Sequence, residues 1–470
     1  MRTYLLACLL VLAACQNIGN QKQEYHIPFP YAECDKNGCQ TKNGEITLDE
    51  NWRWVHNVGG YQNCFTGVEW DRNFCPDPAS CTRNCAIDGV PASDWSNPYG
   101  TRQINKGIEM KLVTHGQYGD NVGARVYLLE SPDRYKMYKL LNREFSFDVD
   151  VSALECGING ALYFVEMEAD GGSSKYPTNK AGARYGTGYC DAQCPHDIKF
   201  ICGEANCKDW KDDQGYYGSC CAEFDVWEAN KHANAYTAHP CTFPGYHRCE
   251  GNDCGDGAQR QNGNCDKDGC DLNPFRNGNH NFYGPGSTYA VDTTKPFTVV
   301  TQFITSDATD NGDLSEIRRF YVQNGKKIET PRTNVSGLGT YDSLTNANCG
   351  NQKRVFEEPP TFINKGGMKA MGEAMRRGMV LVLSLWDDHT ANMLWLDSDY
   401  PLEADPSKPG IKRGPCSRDS GQPSDVERNY PNAYVAYSNV KSGLIGTTVQ
   451  FEADGVTVKA EPSLQTEETA

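Results

Sequence analysis

The stretch CCAEFDVWEAN, Cys220 to Asn230, decides how this chain reads. Glu223, Asp225 and Glu228 place three carboxylates within six residues, interleaved with Phe224, Val226 and Trp227. Alternation of apolar and charged side chains is the signature of a strand with one face in a core. On such a strand Glu223 and Asp225 point the same way. Glu228 is five residues from Glu223, so an ideal strand sends it to the opposite face, with its Cα about 16 Å away. One β-bulge near Val226–Trp227 absorbs the odd residue and returns Glu228 to the face of the other two. Carboxyl groups about 5–5.5 Å apart then come within reach, the separation that double displacement at a glycosidic carbon requires. Asp225 would orient Glu223, and burial beside like charges would keep Glu228 protonated. The plain alternative, a solvated acidic strand edge, stays open on these residues alone.

The rest of the chain narrows the class. It has 470 residues, a net charge of −16, 46 Gly and 22 Cys. A phosphate-rich partner would want the opposite charge, so nucleic acid is excluded as the expected partner, whereas a neutral polymer fits. Arg2, the apolar run YLLACLLVLAAC (4–15) and polar QNIGNQKQEY read as a secretory signal over 1–15, too short to span a bilayer. Cleavage after Cys15 and lipoprotein-type processing at Cys15 both suit "LAAC". Either one removes Cys8 and Cys15 from pairing and leaves an even number of cysteines. In a secreted chain that argues for a disulfide framework of up to ten bridges. Zinc ligation through CDAQCPH or CEGNDC is weighed against by the same context, and no metal or other cofactor is expected. The sequon at Asn334 marks a glycosylation site.

Short β runs divided by Gly, Asn and Asp follow the signal. FSFDVDVS (145–152) sends Phe145, Phe147, Val149 and Val151 to one side, whereas MVLVLSLW (379–386) is apolar on both sides and belongs mid-sheet. Helical signal is thin, strongest over KGGMKAMGEAMRR (365–377), with Met368, Met371 and Met375 on one stripe. The expected fold is all-β: a β-sandwich with long, elaborate disulfide-stapled loops. One catalytic domain spans 16–446. An acidic tail, read as a frayed end, spans 447–470, and no carbohydrate-binding module is expected.

GSCCAEFDVWEAN followed by AHPC (238–241) resembles the signature of glycoside hydrolase family 7, the cellobiohydrolases and endoglucanases that cut cellulose. The likeness is collinear from DENWRWVHN (49–57) through NGALYFVEMEADGG, KYPTNKAGARYGTGYCDAQCPHDIKFI, NPFRNGN, FYGPGS and LWDDHTANMLWLD to AYSNVKSGLIG, ending at 446. It implies a jelly-roll sandwich of two antiparallel sheets, with the disulfide-stapled loops roofing a long cellulose groove into a substrate tunnel, retention of anomeric configuration and no metal. Carried over, Glu223 matches the nucleophile, Glu228 the acid/base, Asp225 the supporting acid and His239 the histidine near the leaving group. Trp52 and Trp54, read as two apart on one strand with rings on one face, match sugar platforms, Trp54 towards the tunnel entrance and Trp52 further in. Trp386 and Trp395 match platforms flanking the cleavage point. Arg260, Arg276, Arg413, Asp268 and Asp271 match product-side positions. Arg125, Asn159, Tyr163, Tyr189, Asp191, Gln193 and Lys199 match groove-lining ones. Taken singly, each of these aromatics is more often core and each polar residue more often a solvated loop residue.

The resemblance also implies pairings Cys34–Cys39, Cys64–Cys85, Cys75–Cys81, Cys156–Cys416, Cys190–Cys221, Cys194–Cys220, Cys241–Cys265, Cys249–Cys254 and Cys270–Cys349. Cys202 and Cys207 have no family counterpart and are expected to form an extra local bridge. Ala86 stands where some members have a cysteine. CDLNPFRNGNHNFYGPGS and SDYPLEADPSKPGIKRGPC keep product-side loops that endo-acting members lack, which favours release of cellobiose from chain ends. DWKDDQGYYGSCC and CGDGAQRQNGNC are shorter than the roof loops of closed-tunnel members, so the tunnel is expected to be partly open, with an endoglucanase as the alternative. A non-catalytic glycan-binding sandwich is the remote third reading. The expected partner is a cellulose chain or cello-oligosaccharide, with no membrane, and the enzyme is expected to be a secreted, extracellular monomer.

Overall fold

The computed structural model of the chain describes residues 16–117 and 119–459, so residues 1–15, read above as a secretory signal, lie outside the described residues. Two ten-stranded sheets pack face to face. The first runs from Ile27–Pro28 through Glu45–Leu48, Ala124–Ser131, Met379–Asp387, Ile158–Val165 and Glu223–Ala229 to Asn234–His239 and Cys270–Leu272. The second carries Lys326–Glu329, Leu314–Gln323, Phe297–Thr305, Arg143–Asp150, Tyr434–Leu444, Tyr31–Asp35 and Gly38–Lys42 along its main path. Pairing in both is antiparallel except where Tyr31–Asp35 runs parallel to Tyr434–Leu444. This is the expected jelly-roll sandwich.

The hydrophobic pattern accounts for the layering. Phe145, Phe147, Val149 and Val151 are at most 1% exposed and fill the space between the sheets. Met379–Asp387 lies mid-sheet, hydrogen-bonded to Ala124–Ser131 on one side and Ile158–Val165 on the other. Its Leu381, Leu383 and Leu385 enter the main core, while Val380 and Val382 enter a second cluster on the outer face with Tyr127, Tyr163 and Tyr189. That second cluster explains why the strand is apolar on both sides. The methionine stripe is also as read: Met368, Met371 and Met375 are buried on the helix Gly367–Arg377.

All nine pairings implied by the resemblance are formed. The tenth is not, because Cys202 and Cys207 are both free. Cys202 packs on the cluster containing Tyr176 and Tyr246, whereas Cys207 packs among Phe65, Trp70 and Trp210. Cys202 sits at φ 55° in the turn of the hairpin Phe200–Ile201/Glu204–Ala205, and the two thiols serve different cores. The tail also departs from the reading. Val449, Phe451 and Val458 pack on Val300, Phe320 and Val322 of the second sheet, and Val458 N–H donates to the Gly325 carbonyl. Residues 447–459 are therefore docked, and 460–470 lie outside the described residues.

Candidate active site

The strand Glu223–Ala229 carries the bulge where residue parity required it. Against Asn234–His239, Asp225 pairs with Thr237 but the next partner is Glu228 with Ala235. Against Ile158–Val165, Phe224 pairs with Phe164 and Trp227 with Leu162. Phe224, Val226, Trp227 and Ala229 consequently all join the core between the sheets. Glu223, Asp225 and Glu228 are turned to the other face. Glu223 and Asp225 are 7% and 5% exposed, while Glu228 is half-buried.

Each carboxylate has a distinct partner. Glu223 Oε2 accepts from the Ala192 backbone N–H at 3.0 Å. The Ala192 loop is stapled to the start of the strand by Cys190–Cys221 and Cys194–Cys220, so two disulfides hold the donor against its acceptor. Glu228 Oε1 accepts from Asn159 Nδ2 at 3.1 Å, and Asn159 Oδ1 accepts from Ala229 N–H at 3.0 Å, fixing the amide's orientation. Asp225 Oδ2 lies 3.0 Å from His239 Nε2, while His239 Nδ1 is 2.7 Å from the Asp266 carbonyl. Burial alone would lower the imidazole pKa, but the hydrogen bond and charge of Asp225 outweigh it and hold it up at about 9. Both ring nitrogens then donate, one to Asp225 and one to the carbonyl. Burial, then the Asp225 charge, pushes Glu223 and Glu228 well above the usual carboxylate range. The pair therefore retains a proton where isolated glutamates would not.

Around this centre, Tyr163 OH and Tyr189 OH are 2.8 Å apart, and Tyr189 donates to Asp191 Oδ2 at 2.6 Å. Asp191 Oδ1 accepts from Gln193 N–H, and Gln193 Nε2 reaches the Lys267 carbonyl. Arg125 Nε donates to Asp49 Oδ2 at 2.9 Å, with the guanidinium carbon 3.4 Å from the Tyr189 ring centroid. Tyr163 and Tyr189 are thus buried supports rather than open lining. Lys199 donates to the Asn51 carbonyl at 2.5 Å, its pKa lowered by burial to about 8.

The tryptophans divide. Trp386 and Trp395 are neighbours, ring centroids 6.2 Å apart and planes 27° apart, and Trp395 Nε1 donates to Asp388 Oδ2. Trp52 and Trp54 do not share a strand face. Glu50–Trp52 is a 3-10 turn capped by Asp49, and the strand begins only at Val55. Trp52 lies against Arg125 and donates to the Gly123 carbonyl, whereas Trp54 lies beside His56 and Tyr61. Arg53 between them is buried and paired with Glu24, which forces the break.

Further along the first sheet, Arg276 pairs with Asp271 at 2.5 Å and with Glu358; Arg413 and Lys353 also reach Glu358, at 3.3 and 2.9 Å. Burial would raise the Glu358 carboxyl, but those three cations hold it down at about 2. Arg260 and Asp268 form a separate, more exposed pair at 2.7 Å. Asn334 is exposed on a loop. Sequence reasoning did not single out Glu358, Asn51, Asp49 or the Ala192 N–H, although the last three lie inside DENWRWVHN and CDAQCPH; each acts through a partner far along the chain.

Comparison with known proteins identifies the class that this fold and site define. The family model described as "Glycosyl hydrolase family 7" matches residues 18–449. The chain belongs to that family and is a glycoside hydrolase. A cellobiohydrolase from Daphnia pulex is 56% identical over 92% of this chain and 100% of its own, with a TM-score of 0.91. A cellobiohydrolase from Melanocarpus albomyces, solved with cellotetraose, is 45% identical over 93% and 100%, with a TM-score of 0.87. The Humicola insolens endocellulase EGI is 36% identical over 92% and 100%, with a TM-score of 0.78.

Proposed function

We propose that this chain hydrolyses β-1,4-glucosidic bonds of cellulose with retention, releasing mainly cellobiose from chain ends. The observation that carries the chemistry is the bulge, which turns Glu223 and Glu228 to one face with the Asp225–His239 pair beside them. Glu223 attacks the anomeric carbon, and Glu228 donates its proton to the departing oxygen as that bond breaks. Glu228, now a carboxylate, takes a proton from water. The water oxygen displaces Glu223 and restores both groups. Ala192 N–H favours the charged form of Glu223, which suits the nucleophile. Glu228 is the more exposed of the two, which suits the group that must meet leaving group and water.

Trp54, Trp52, Trp386 and Trp395 would stack on the apolar faces of successive sugars, with Arg125, Asn159, Tyr163, Tyr189, Asp191, Gln193 and Lys199 holding the chain or its supports. Arg260, Asp268, Asp271, Arg276 and Arg413 would hold the product. The greater likeness to the two cellobiohydrolases than to the endocellulase supports chain-end action. The short segments 209–221 and 254–265 favour the second reading, an endoglucanase with an open groove. The enzyme is further proposed to be secreted, monomeric, glycosylated at Asn334 and independent of metal, with 16–446 as its catalytic domain.

A product and viscosity assay on amorphous and soluble substituted cellulose separates the readings, with Glu223→Gln as the blank. Mostly cellobiose with viscosity nearly unchanged is the expected result. Rapid viscosity loss with mixed oligomers would replace it with the endo reading, and equal inertness of wild type and blank would overturn hydrolysis of cellulose.

A further inference from the structure

Arg319 is a buried cation that the mechanism above does not use. It lies on the strand Leu314–Gln323 of the second sheet, 2% exposed, and takes part in none of the ion pairs formed among the described residues. A guanidinium kept in a core without a carboxylate carries a large desolvation cost and persists only if its hydrogen bonds matter. Its Nη2 crosses the sandwich and donates to the backbone carbonyl of Val226. Nε and Nη2 lie 3.4 and 3.3 Å from Thr301 Oγ1, which steadies the fork. The guanidinium carbon also sits 4.0 Å from the centroid of Tyr236 and 5.7 Å from that of Trp227.

Val226 is the residue that needs this. In the strand Glu223–Ala229 every other residue pairs with at least one neighbour strand, but Val226 has a register partner on neither side. Bulging leaves the extra residue outside the ladder, and a buried carbonyl without a donor costs free energy comparable to a lost hydrogen bond. Tyr236, under the guanidinium, is the residue skipped on the opposing strand. Arg319 therefore touches both sides of the irregularity that separates Asp225 from Glu228.

We infer that Arg319 is a positioning residue: by clamping the Val226 carbonyl it holds the bulge, and thereby the placement of Glu228 relative to Glu223. The inference rests on the reading of those two glutamates as the reacting pair. Loss of the clamp lets the ladder slip or the carbonyl turn, which displaces the acid more than the nucleophile: Glu223 lies before the bulge and is tied to the disulfide-held Ala192 loop, whereas the Asn159 amide that holds Glu228 is itself oriented by Ala229 N–H beyond the bulge. A displacement near 1 Å costs on the order of 100-fold in rate.

The test is kcat/KM for Arg319→Met and Arg319→Lys on two substrates, a dinitrophenyl cellobioside whose leaving group needs no proton and an unsubstituted cello-oligosaccharide whose leaving group does. The expected result for Arg319→Met is a loss of about 100-fold on the oligosaccharide and less than about 10-fold on the activated glycoside. Arg319→Lys, which keeps one donor, should recover part of the difference. Should Arg319→Met fail to fold, Thr301→Val, which unsettles the same fork, should show the same leaving-group dependence more weakly. Equal losses on both substrates, or unchanged activity per folded molecule with only a lower Tm, would overturn the inference. Glu223→Gln in the same series separates the two levels. If it is inactive while the Arg319 variants show no leaving-group dependence, only the clamp fails. If Glu223→Gln keeps wild-type activity, the reading of the pair fails as well.

Discussion

Two groups of carboxylates gather around neighbouring parts of the first sheet and meet opposite fates. On Glu223–Ala229, Glu223, Asp225 and Glu228, with Asp191 behind them, have among the described residues one cation within ion-pair distance, His239. Around the neighbouring strand Cys270–Leu272, Asp271 and Glu358 are met by Arg276, Arg413 and Lys353. Burial is common to both groups, so burial alone does not decide what a carboxyl does. The supply of cations does: Glu223, Glu228 and Asp191 are pushed towards holding protons, whereas Glu358 is held at about 2. Arg413, crowded by burial and by Arg276, is itself lowered to about 10, as expected where cations are in excess. A proton-holding group can run acid–base chemistry, and a permanently charged one can grip a polar ligand.

The largest effect expected from breaking this contrast is on activity. Glu223→Gln should remove on the order of 10⁴-fold or more of turnover on cellulose. It also relieves repulsion in the cation-poor group, so its Tm at pH 7 should be no lower than wild type and higher by about 1–3 °C. A large fall in Tm would mean that the carboxylate is structural.

Glu358→Gln attacks the other group and should behave in the reverse manner. It leaves Arg276, Arg413 and Lys353 without their shared anion, at a cost of about 3 kcal/mol at pH 7. A carboxyl whose folded pKa is depressed contributes stability above its unfolded pKa, and that contribution is lost as pH falls through the folded value. The gap between wild type and variant in denaturant titrations should thus be full at pH 7 and close between about pH 4.5 and 2. A gap that persists at pH 2 would show that the cations do not depress this carboxyl.

His239→Asn tests the lone cation of the first group with the opposite sign. The folded imidazole is raised to about 9, so its contribution is complete below the unfolded value near 6.5 and lost as pH rises through 9. The stability difference should be up to about 3 kcal/mol at pH 6 and small by pH 10. The smallest effect is expected at the exposed pair: Arg260→Ala should change stability by less than about 1 kcal/mol, since solvent screens such pairs. A loss as large as that of Glu358→Gln would erase the distinction between buried and screened charge.

Local chemistry made part of this legible from sequence. If Glu228 shares a face with Glu223 and Asp225, strand parity requires one extra residue between them, and the bulge occurs near Val226–Trp227 as expected; burial of Glu223 and Asp225 is what removes the solvated-edge alternative. Alternation in 145–152 and its absence in 379–386 likewise stated which strand faces one core and which faces two. The misses share a cause. Trp52 and Trp54 look like strand neighbours until Arg53 finds Glu24, 29 residues away. Cys202 and Cys207 look like a pair until each is claimed by a different cluster of aromatics. Val449 and Phe451 look like a tail until Phe320 and Val322 offer them a surface. Glu358 and Arg319 carry no local signal, since both act through partners that only the fold brings near.

The central claim is that the bulge sets Glu223 and Glu228 for double displacement. The most direct test is the anomeric configuration of the first-formed product, followed by proton NMR during hydrolysis of a cello-oligosaccharide before mutarotation intervenes. The account predicts that the β-anomer appears first and the α-anomer only later. First appearance of the α-anomer would mean single displacement by water, with the two carboxyl groups too far apart for Glu223 to bond the sugar, and would contradict it.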